Sequence, residues 1–376
     1  MPSRNGGLNV VFAGGGTGGH LYPAIAVADE LRDRRGAAAT FIGTADRLET
    51  AIVPKAGYPL KTVASRPLTR KLSLEFFRTL AANAAGTLQS VALLSRLRPD
   101  LVIATGGYVC VPVVLGARIL RLARLSSAPI VLFEPNALPG LANRLLAPLV
   151  DEVWGAFDGA DPRFAGKYVP TGIPVRRALR ALPARDDAVA RFGLDAARKT
   201  LLSMGGSQGA RTINDAFTAV LRAGALPAGW QLVCVTGAGD YERVSAGMER
   251  RAIVCPYLDD VAAGYAAADL ILARAGASTL GELAAVGKPA ILVPYPFAAG
   301  DHQTANARRF AAGGAAVVIA DRDLNGDSLA AALAEIAVPG RLARLQAAAE
   351  RLGGGPDPLA TILGRVERLT ARKKQP

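Results

Sequence analysis

Two glycine-rich loops, each between an apolar run and an amphipathic stretch, carry the residue types best suited to chemistry. The first reads Ala-Gly-Gly-Gly-Thr-Gly-Gly-His at residues 13–20, and the second reads Gly-Gly-Ser-Gln-Gly-Ala at residues 205–210. A strand, a glycine loop and a helix N-terminus together bring backbone N–H groups close to an anionic group. The sequence therefore predicts a phosphate-type site in each half of the chain.

The chain contains two histidines, His20 and His302, and both lie in loop motifs. Histidine is the side chain best matched to proton transfer near neutral pH. His20 closes the first glycine loop, which favours a role in a site over that of a helix-start residue whose ring caps the turn. His302 lies in Gly-Asp-His-Gln-Thr-Ala-Asn at residues 300–306, where a site role and a structural role are equally supported.

A third motif, residues 273–283, follows a predicted strand and begins a helix with Ser278 or Thr279 in its first turn. Glu282 is placed to accept hydrogen bonds from a ribose diol, although a carboxylate favoured by the helix dipole explains it locally as well. The Asp-Arg-Asp sequence at residues 321–323 has the spacing found in metal-using transferases. It precedes a turn outside the motif cluster, so we interpret it as a surface loop and predict no metal site.

The first glycine loop also permits a dinucleotide-binding interpretation. That fold places an acidic residue after the second strand, and here Asp46 and Glu49 both lie late for it. A second glycine loop in the other half of the chain also fits a dehydrogenase poorly.

Apolar runs of strand length alternate with helical patterns along both halves of the chain. In the first half they are residues 9–13, 38–43, 59–64, 101–104 and 130–133; in the second they are 199–204, 231–235, 253–255, 269–273, 290–293 and 316–319. Near-continuous apolar strands joined by helices predict parallel sheets covered on both faces. We therefore predict an α/β chain with two Rossmann-like doubly wound domains that face each other across a cleft. The first helix is expected to begin near Pro23 and end at Gly36.

The predicted domains are residues 1–168, residues 169–350 and a C-terminal helix at 351–376 that returns to the first domain. The Pro/Gly-rich segment 169–175 is interpreted as the linker. The longest uncharged run, residues 101–117, is interrupted by glycines and a proline and is short for a bilayer span. We expect no signal peptide, and three cysteines that are buried, reduced thiols in a cytosolic protein.

The formal net charge is +13 and the sequence pI is near 10.1. This charge favours an anionic partner such as nucleic acid, an acidic lipid surface or a diphosphate, although a general arginine bias of the proteome explains it too. No nucleic-acid module and no aromatic platform among basic residues is visible, so we expect no nucleic-acid partner.

Taken together, the motifs resemble the MurG family of bacterial N-acetylglucosaminyltransferases. The resemblance rests on residues 10–20, 105–112, 134–144, 203–214, 256–260 and 273–306. It implies the two-domain GT-B fold and inverting transfer of N-acetylglucosamine from UDP-N-acetylglucosamine to the 4-hydroxyl of MurNAc in lipid I. The product would be lipid II for peptidoglycan synthesis, cell division and cell shape. Two alternatives stay open. One is another enzyme, either a GT-B relative with a different acceptor or a UDP-N-acetylglucosamine 2-epimerase. The other is a non-catalytic partner that binds a nucleotide sugar.

The same resemblance implies roles for individual residues. His20 and Glu134 are the candidates for the catalytic base, and Gly16 and Tyr108 would lie on the acceptor side. No cofactor or metal is expected. The residues implied in donor binding are Thr17, Gly18, Gly19, Asn136, Arg176, Ser207, Gln208, Leu258, Ala277, Ser278, Thr279, Glu282, His302 and Gln303.

Two departures from the family pattern affect loops. Pro135 replaces the glutamine of Glu-Gln-Asn, and Ile173 replaces the asparagine of Gly-Asn-Pro-Val-Arg. A lipid-linked acceptor further implies peripheral binding to an anionic membrane at the cytoplasmic face. Segments 66–78 and 118–124 mix apolar and basic residues as such binding requires, and amphipathic helices packed on the sheet would show the same pattern.

Overall fold

The chain folds into two compact units. The structure, a computed structural model, describes residues 7–67, 73–157, 161–206, 209–246, 248 and 252–372. Unit 1 comprises Met1–Arg176 and Pro356–Pro376, and unit 2 comprises Arg177–Gly355. The divisions follow residues 176 and 355, whereas the sequence predicts them after residues 168 and 350.

Unit 1 is built on a parallel sheet of seven strands in the order β3-β2-β1-β4-β5-β6-β7. The apolar residues of β1, β4 and β5 are almost fully buried because helices cover both faces. The strands are β1 (Asn9–Gly14), β2 (Ala38–Gly43), β3 (Leu60–Thr62), β4 (Leu101–Gly106), β5 (Ile130–Glu134), β6 (Glu152–Gly155) and β7 (Tyr168–Pro170). The helices are α1 (Gly18–Arg35), α2 (Glu49–Lys55), α3 (Leu74–Leu97), α4 (Cys110–Leu122) and α5 (Leu141–Leu146).

Unit 2 contains a parallel sheet of six strands in the order β10-β9-β8-β11-β12-β13. Its strands are β8 (Lys199–Met204), β9 (Trp230–Val235), β10 (Ile253–Cys255), β11 (Leu270–Ala273), β12 (Ala290–Leu292) and β13 (Ala316–Val318). Its helices are α6 (Arg185–Arg191), α7 (Arg211–Arg222), α8 (Tyr241–Ser245), α9 (Val261–Ala267), α10 (Ala277–Val286), α11 (His302–Ala312), α12 (Gly326–Ala337) and α13 (Arg341–Gly353).

Both sheets are doubly wound with the same relative strand order. The chain reverses its direction of winding between β1 and β4 in unit 1 and between β8 and β11 in unit 2. In open α/β sheets, ligands bind outside the carboxyl ends of the strands at this switch point. The predicted fold class is confirmed, and each predicted strand is present with shifts of at most two residues at its ends.

Three details differ from the sequence prediction. Strands β6 and β7 are additional, and β7 takes up the start of the predicted linker 169–175. Pro170 is tolerated because β7 is an edge strand. Helix α1 begins at Gly18 and carries Pro23 inside it, so the glycine loop runs directly into the helix. Its end at Gly36 agrees with the prediction.

The C-terminal helix α14 (Pro358–Arg372) packs in the core of unit 1. Its apolar residues Ile362 and Val366 are buried there, and Arg365 forms an ion pair with the buried Glu152 of β6. Residues 101–117 form β4 and most of α4, as the sequence indicates. Within the described ranges, no helix has both the length and the apolar character that a membrane span requires.

Candidate active site

In unit 1, the loops after β1 and β4 pack backbone against backbone. A Cβ atom on Gly107 would lie 2.6 Å from the carbonyl oxygen of Gly15, and one on Gly14 would lie 2.2 Å from Oγ1 of Thr105. Side chains at these positions would force the loops apart. The glycines therefore serve the close approach of two loops at the switch point, beside the start of α1.

His20 lies in the first turn of α1 with its ring against Gly106. Its Nδ1 lies 3.0 Å from the carbonyl oxygen of Gly15, and a Cβ on Gly106 would meet the ring at 2.5 Å. Since a carbonyl oxygen only accepts hydrogen bonds, Nδ1 donates and carries the proton in the neutral ring. Nε2 is then the basic nitrogen, which is the form that a general base requires.

Glu49 is fully buried at the first residue of α2 and binds the first glycine loop. Its Oε2 accepts a hydrogen bond from the N–H of Gly16 at 2.9 Å. Its Oε1 accepts from the N–H and the hydroxyl of Thr44 at 2.8 and 2.7 Å. A ribose has no access to this carboxylate, and Asp46 is exposed, so the dinucleotide interpretation loses its acidic residue.

Glu134, at the end of β5, is 3% exposed and accepts four hydrogen bonds. Oε1 accepts from the backbone N–H and the side-chain amide of Asn136 at 3.0 and 3.1 Å. Oε2 accepts from the N–H of Gly140 and the amide of Asn143, both at 2.9 Å. This carboxylate holds the loop after β5 in place. Pro135 lies between Glu134 and Asn136, and none of the four donors belongs to it.

Other predicted residues of unit 1 lie in α1, in the loop before it and in the loop after β4, and Arg176 contacts α1. Thr17 precedes the helix, and Gly18 and Gly19 form its first turn together with His20. Tyr108, in the loop after β4, is 49% exposed. The guanidinium of Arg176 lies 4.7 Å from the centre of the Tyr22 ring on the same helix. The structure therefore brings Arg176 to α1.

The buried cysteines are unsuited to nucleophilic chemistry. The Cys110 thiol, at the start of α4, donates to the carbonyl oxygen of Ala13 at 3.3 Å. Burial raises the pKa of the Cys110 thiol to about 12, and burial likewise raises the pKa of Cys234 to about 12. Both thiols are neutral near pH 7. Cys255 is half-buried, so the expectation of burial holds fully for two of the three cysteines.

The second glycine loop follows β8 and leads into α7. Predicted site residues Ser207 and Gln208 lie outside the described residues. A Cβ on Gly209 would lie 2.2 Å from the carbonyl oxygen of Thr236, and one on Gly205 would lie 2.3 Å from the backbone nitrogen of Ala210. This loop packs tightly against the chain that follows β9.

Helix α10 starts directly beyond β11, at the switch point of unit 2. Ala277, Ser278 and Thr279 form its first turn, whose N–H groups have no partner within the helix itself. Glu282, one turn further, accepts a hydrogen bond from the hydroxyl of Tyr265 at 3.0 Å. Leu258, in the loop after β10, is buried against Gly264.

His302 and Gln303 begin α11, in the segment after β12. Nδ1 of His302 lies 2.9 Å from the carbonyl oxygen of Ala299. Oε1 of Gln303 accepts from the N–H of Tyr295 at 3.0 Å, so the side-chain NH2 of Gln303 is directed elsewhere as a donor. Both side chains are thus oriented by the backbone of the loop that precedes them.

Sequence reasoning missed a polar cluster at the carboxyl ends of β11 and β13. Arg274 forms an ion pair with Asp321, and the hydroxyl of Thr212 donates to Asp321 at 2.7 Å. Both charged side chains are 13% exposed, so the surface-loop interpretation is wrong for Asp321 and holds for the exposed Asp323. The sequence signal that could have revealed this cluster is Arg274, a cation directly after the buried strand β11. In the described part of the chain, no three His, Cys, Asp or Glu side chains cluster as metal ligands would.

Two doubly wound sheets, each with a glycine loop and a helix start at its switch point, define the architecture of GT-B glycosyltransferases. Residues 10–154 match the glycosyltransferase family 28 N-terminal domain, and residues 200–352 match the glycosyltransferase family 28 C-terminal domain. The chain is therefore a glycosyltransferase.

Curated relatives narrow this class. The UDP-N-acetylglucosamine–N-acetylmuramyl-(pentapeptide) pyrophosphoryl-undecaprenol N-acetylglucosamine transferase of Chlorobium luteolum is 42% identical, covering 96% of this chain and 98% of the relative. The protein of the same name from Halothermothrix orenii is 38% identical with the same coverage. The crystal structure of Acinetobacter baumannii MurG matches with a TM-score of 0.73 and 26% identity, covering 96% of this chain and 99% of that one. The chain belongs to this MurG family of N-acetylglucosaminyltransferases, as its motifs predict.

Proposed function

We propose that the chain transfers N-acetylglucosamine from UDP-N-acetylglucosamine to the 4-hydroxyl of MurNAc in undecaprenyl-pyrophosphoryl-MurNAc-pentapeptide, lipid I, and so makes lipid II. The names of the relatives at 38–42% identity support both substrates. Within the molecule, the proposal depends chiefly on His20, whose Nδ1 lies 3.0 Å from the carbonyl oxygen of Gly15. That contact leaves Nε2 as the nitrogen able to take a proton.

In this proposal unit 2 binds the donor. The first-turn N–H groups of α10 and its helix dipole suit a diphosphate, and Glu282 suits the ribose hydroxyls. Backbone groups of Leu258 would meet the uracil, and His302 and Gln303 would read hydroxyls of the sugar. The family resemblance also assigns Ser207 and Gln208 to the diphosphate, together with Arg176, which belongs to unit 1. The hydrogen bonds that orient His302 and Gln303 support their role, since a preset side chain loses less entropy on binding.

Of the two candidate bases, the contacts favour His20. Both oxygens of Glu134 already accept two N–H groups each, and a proton on either oxygen would compete with the donors bound there. Glu134 therefore acts by shaping the loop that carries Asn136. Thr17, Gly18 and Gly19 lie in the same turn as His20 and contribute backbone groups, while Gly16 and Tyr108 face the acceptor.

The reaction is a single displacement. The 4-hydroxyl oxygen forms a bond to the anomeric carbon as its proton passes to Nε2 of His20, and the bond from that carbon to UDP breaks. UDP leaves with the bonding electron pair, and the configuration at the anomeric carbon inverts. The charge gained by the diphosphate is stabilised by the helix dipole, by N–H groups and by Arg176. The proposal includes no metal, because these groups supply the required stabilisation.

A lipid-linked acceptor requires unit 1 to reach a membrane, which we place at the cytoplasmic face. Helices α3 and α4 pack closely, since a Cβ on Gly116 would lie 2.8 Å from the Ser90 side chain. Residues 68–72 of the first predicted membrane segment lie outside the described residues. We give the name α3–α4 apolar surface to the exposed large apolar side chains of the two helices together with Leu125, which follows α4: Leu74, Phe77, Leu80, Leu88, Ile119, Leu122 and Leu125.

Arginines accompany this surface and suit an anionic leaflet. Arg78 and Arg124 are exposed beside Phe77 and Leu125 along the chain, and Arg118 lies half-buried in α4. Each basic residue near an anionic leaflet adds roughly 1 kcal/mol of binding free energy, and apolar side chains insert between the headgroups. Packing on the sheet leaves Phe77 60% exposed, which supports a role outside the core.

The test is transfer of radiolabelled N-acetylglucosamine from its UDP donor to a short-chain lipid I analogue with EDTA present. We expect labelled lipid product at the rate seen without EDTA. Tight donor binding without transfer would contradict the assignment of lipid I as the acceptor. The chain would then act on a different lipid acceptor or be a 2-epimerase. Transfer that EDTA abolishes would contradict metal independence alone.

A further inference from the structure

The first glycine loop holds an internal anion, the carboxylate of Glu49. A Cβ on Gly15 would lie 2.3 Å from Oε1 of Glu49, and one on Gly43 would lie 2.7 Å from its Cγ. The carboxylate therefore fills the space that these two glycines leave open. Gly16 N–H, which the sequence pattern would assign to a bound phosphate, donates to Oε2 at 2.9 Å instead.

A single peptide group connects Glu49 to His20. The N–H of the Gly15–Gly16 peptide is the one bonded to Glu49, and its carbonyl oxygen accepts from Nδ1 of His20 at 3.0 Å. The peptide is planar, so fixing the direction of its N–H also fixes the direction of its carbonyl. Gly16 has a φ of +83°. Because glycine has access to both positive and negative φ, the backbone alone does not fix the orientation of the Gly15–Gly16 peptide.

The carboxylate also strengthens the bond to the imidazole. A hydrogen bond to an ionised acceptor is about twice as strong as a neutral one. Hydrogen bonds in a chain polarise one another, so a peptide N–H bound to a carboxylate makes its own carbonyl a better acceptor. The charge of Glu49 thus favours the Nδ1–H form of His20 and stabilises the imidazolium that forms when Nε2 takes a proton.

From these contacts we infer that Glu49 is a positioning residue for His20, acting through the Gly15–Gly16 peptide. The loop of unit 1 is in this view a device that holds a histidine by means of a buried carboxylate. The inference rests on the proposed role of His20 as base. It assigns a function to a residue that touches neither substrate.

Glu49→Gln tests this with little change in shape. The amide oxygen of glutamine is drawn to the two donors of Thr44, which turns its NH2 toward the N–H of Gly16. Two opposed donors would turn the Gly15–Gly16 peptide and release Nδ1. We expect kcat to fall at least tenfold while KM for UDP-N-acetylglucosamine stays within about twofold.

The second measurement reads His20 directly. The chain has two histidines, so nitrogen-15 NMR of labelled imidazoles, with His302→Gln for assignment, resolves the His20 tautomer. We expect the Nδ1–H tautomer in the wild type and a mixture of tautomers in Glu49→Gln. Glu152→Gln is the matched control, because Glu152 is also a buried carboxylate of unit 1 but binds Trp154 and Arg365. It should leave the His20 tautomer unchanged.

Two outcomes would overturn the inference. One is an Nε2–H tautomer in the wild type, which needs no variant to fold. The other is a folded Glu49→Gln protein with wild-type kcat and wild-type tautomer. Failure of the proposed function looks different: the wild type would then transfer no N-acetylglucosamine to the lipid I analogue, and if His20 were not the base, His20→Ala would keep its turnover. In both cases the tautomer and its response to Glu49→Gln would still be measurable.

Discussion

The glycine loops of the two units occupy equivalent places in sheets of the same strand order, yet they are held in different ways. In unit 1 the loop closes around the side chain of Glu49 and presents a carbonyl to His20. In unit 2, a Cβ on Gly205 would meet the backbone of Ala210, and a Cβ on Gly209 would meet the backbone of Thr236. Both loops pack closely against neighbouring loops, but only the loop of unit 1 also holds a buried carboxylate and contacts an imidazole.

This difference supports the separate tasks that we propose for the two units. A loop whose N–H is already bonded to a carboxylate is a poor place for a second anion, because like charges repel in a buried site. The start of α10 in unit 2 carries the positive end of a helix dipole, which suits an anionic ligand in the proposed function. We therefore expect changes in unit 1 to alter turnover and changes in unit 2 to alter donor affinity.

The two histidines test this division most strongly. His20→Ala should lower kcat by about 10² to 10⁴, the usual contribution of a general base, with donor affinity within about threefold of the wild type. His302→Ala should instead weaken donor binding. Steady-state turnover with a lipid I analogue and calorimetric titration with UDP-N-acetylglucosamine measure both. Loss of donor affinity in His20→Ala would contradict the assignment of His20 to the acceptor.

Glu134→Gln tests whether the buried carboxylate of Glu134 has a structural role. Glutamine places an NH2 group against N–H donors that now bind a carboxylate oxygen. We expect the free energy of unfolding to fall by about 2–3 kcal/mol, as for a buried charged hydrogen-bond partner that is lost. Chemical denaturation measures this. A variant of wild-type stability that has lost all turnover would instead make Glu134 the base.

Glu282→Gln examines the donor side in unit 2. A neutral amide in place of the proposed ribose-binding carboxylate removes a charged hydrogen bond worth about 1.5 kcal/mol or more. Affinity for both UDP and UDP-N-acetylglucosamine should fall about tenfold, and kcat at saturating donor should change little. Tyr265→Phe is the control, because it removes only the hydroxyl that donates to Glu282. If Glu282→Gln binds the donor as tightly as the wild type does, Glu282 does not bind the ribose. Its position would then be explained by the favourable interaction of a carboxylate with the helix dipole.

The smallest effect concerns the α3–α4 apolar surface. Arg124→Gln should weaken binding to anionic vesicles about fivefold, the equivalent of roughly 1 kcal/mol per basic residue. Leu125→Ser, at a side chain 75% exposed, should weaken it without changing its dependence on salt. Vesicle cosedimentation at several salt concentrations separates the two. Absence of binding at every salt concentration would remove the membrane proposal from unit 1.

Much of the fold could be predicted because its signals are local. Runs such as β2 (Ala38–Gly43) and β8 (Lys199–Met204) are apolar enough to be recognised as buried parallel strands from their residues alone. Strand β6, with Glu and Trp and Gly in four residues, was missed. Its glutamate is stabilised by Arg365 from α14, more than two hundred residues away in the chain. No local pattern contains such a partner.

The candidate site divides in the same way. The sequence indicated His20 and Glu282 because each belongs to a motif in which strand, turn and helix follow one another. It assigned no role to Glu49 and placed Asp321 in a surface loop, since each is interpretable only through a contact with another strand end: Gly16 for the first and Arg274 for the second. The sequence position of Glu49 correctly counted against a ribose ligand, but its contact with the glycine loop has no local signal.

By itself, the sequence determined the family, the two doubly wound sheets and the glycine loops at their switch points, because periodicity and motif spacing are properties of neighbouring residues. Only the tertiary structure decided which nitrogen of His20 contacts the carbonyl of Gly15 and which carboxylates are already satisfied by hydrogen bonds. Those facts depend on hydrogen bonds and burial between residues far apart in the chain. Such contacts exist only once the sheets have formed and brought their strand ends together.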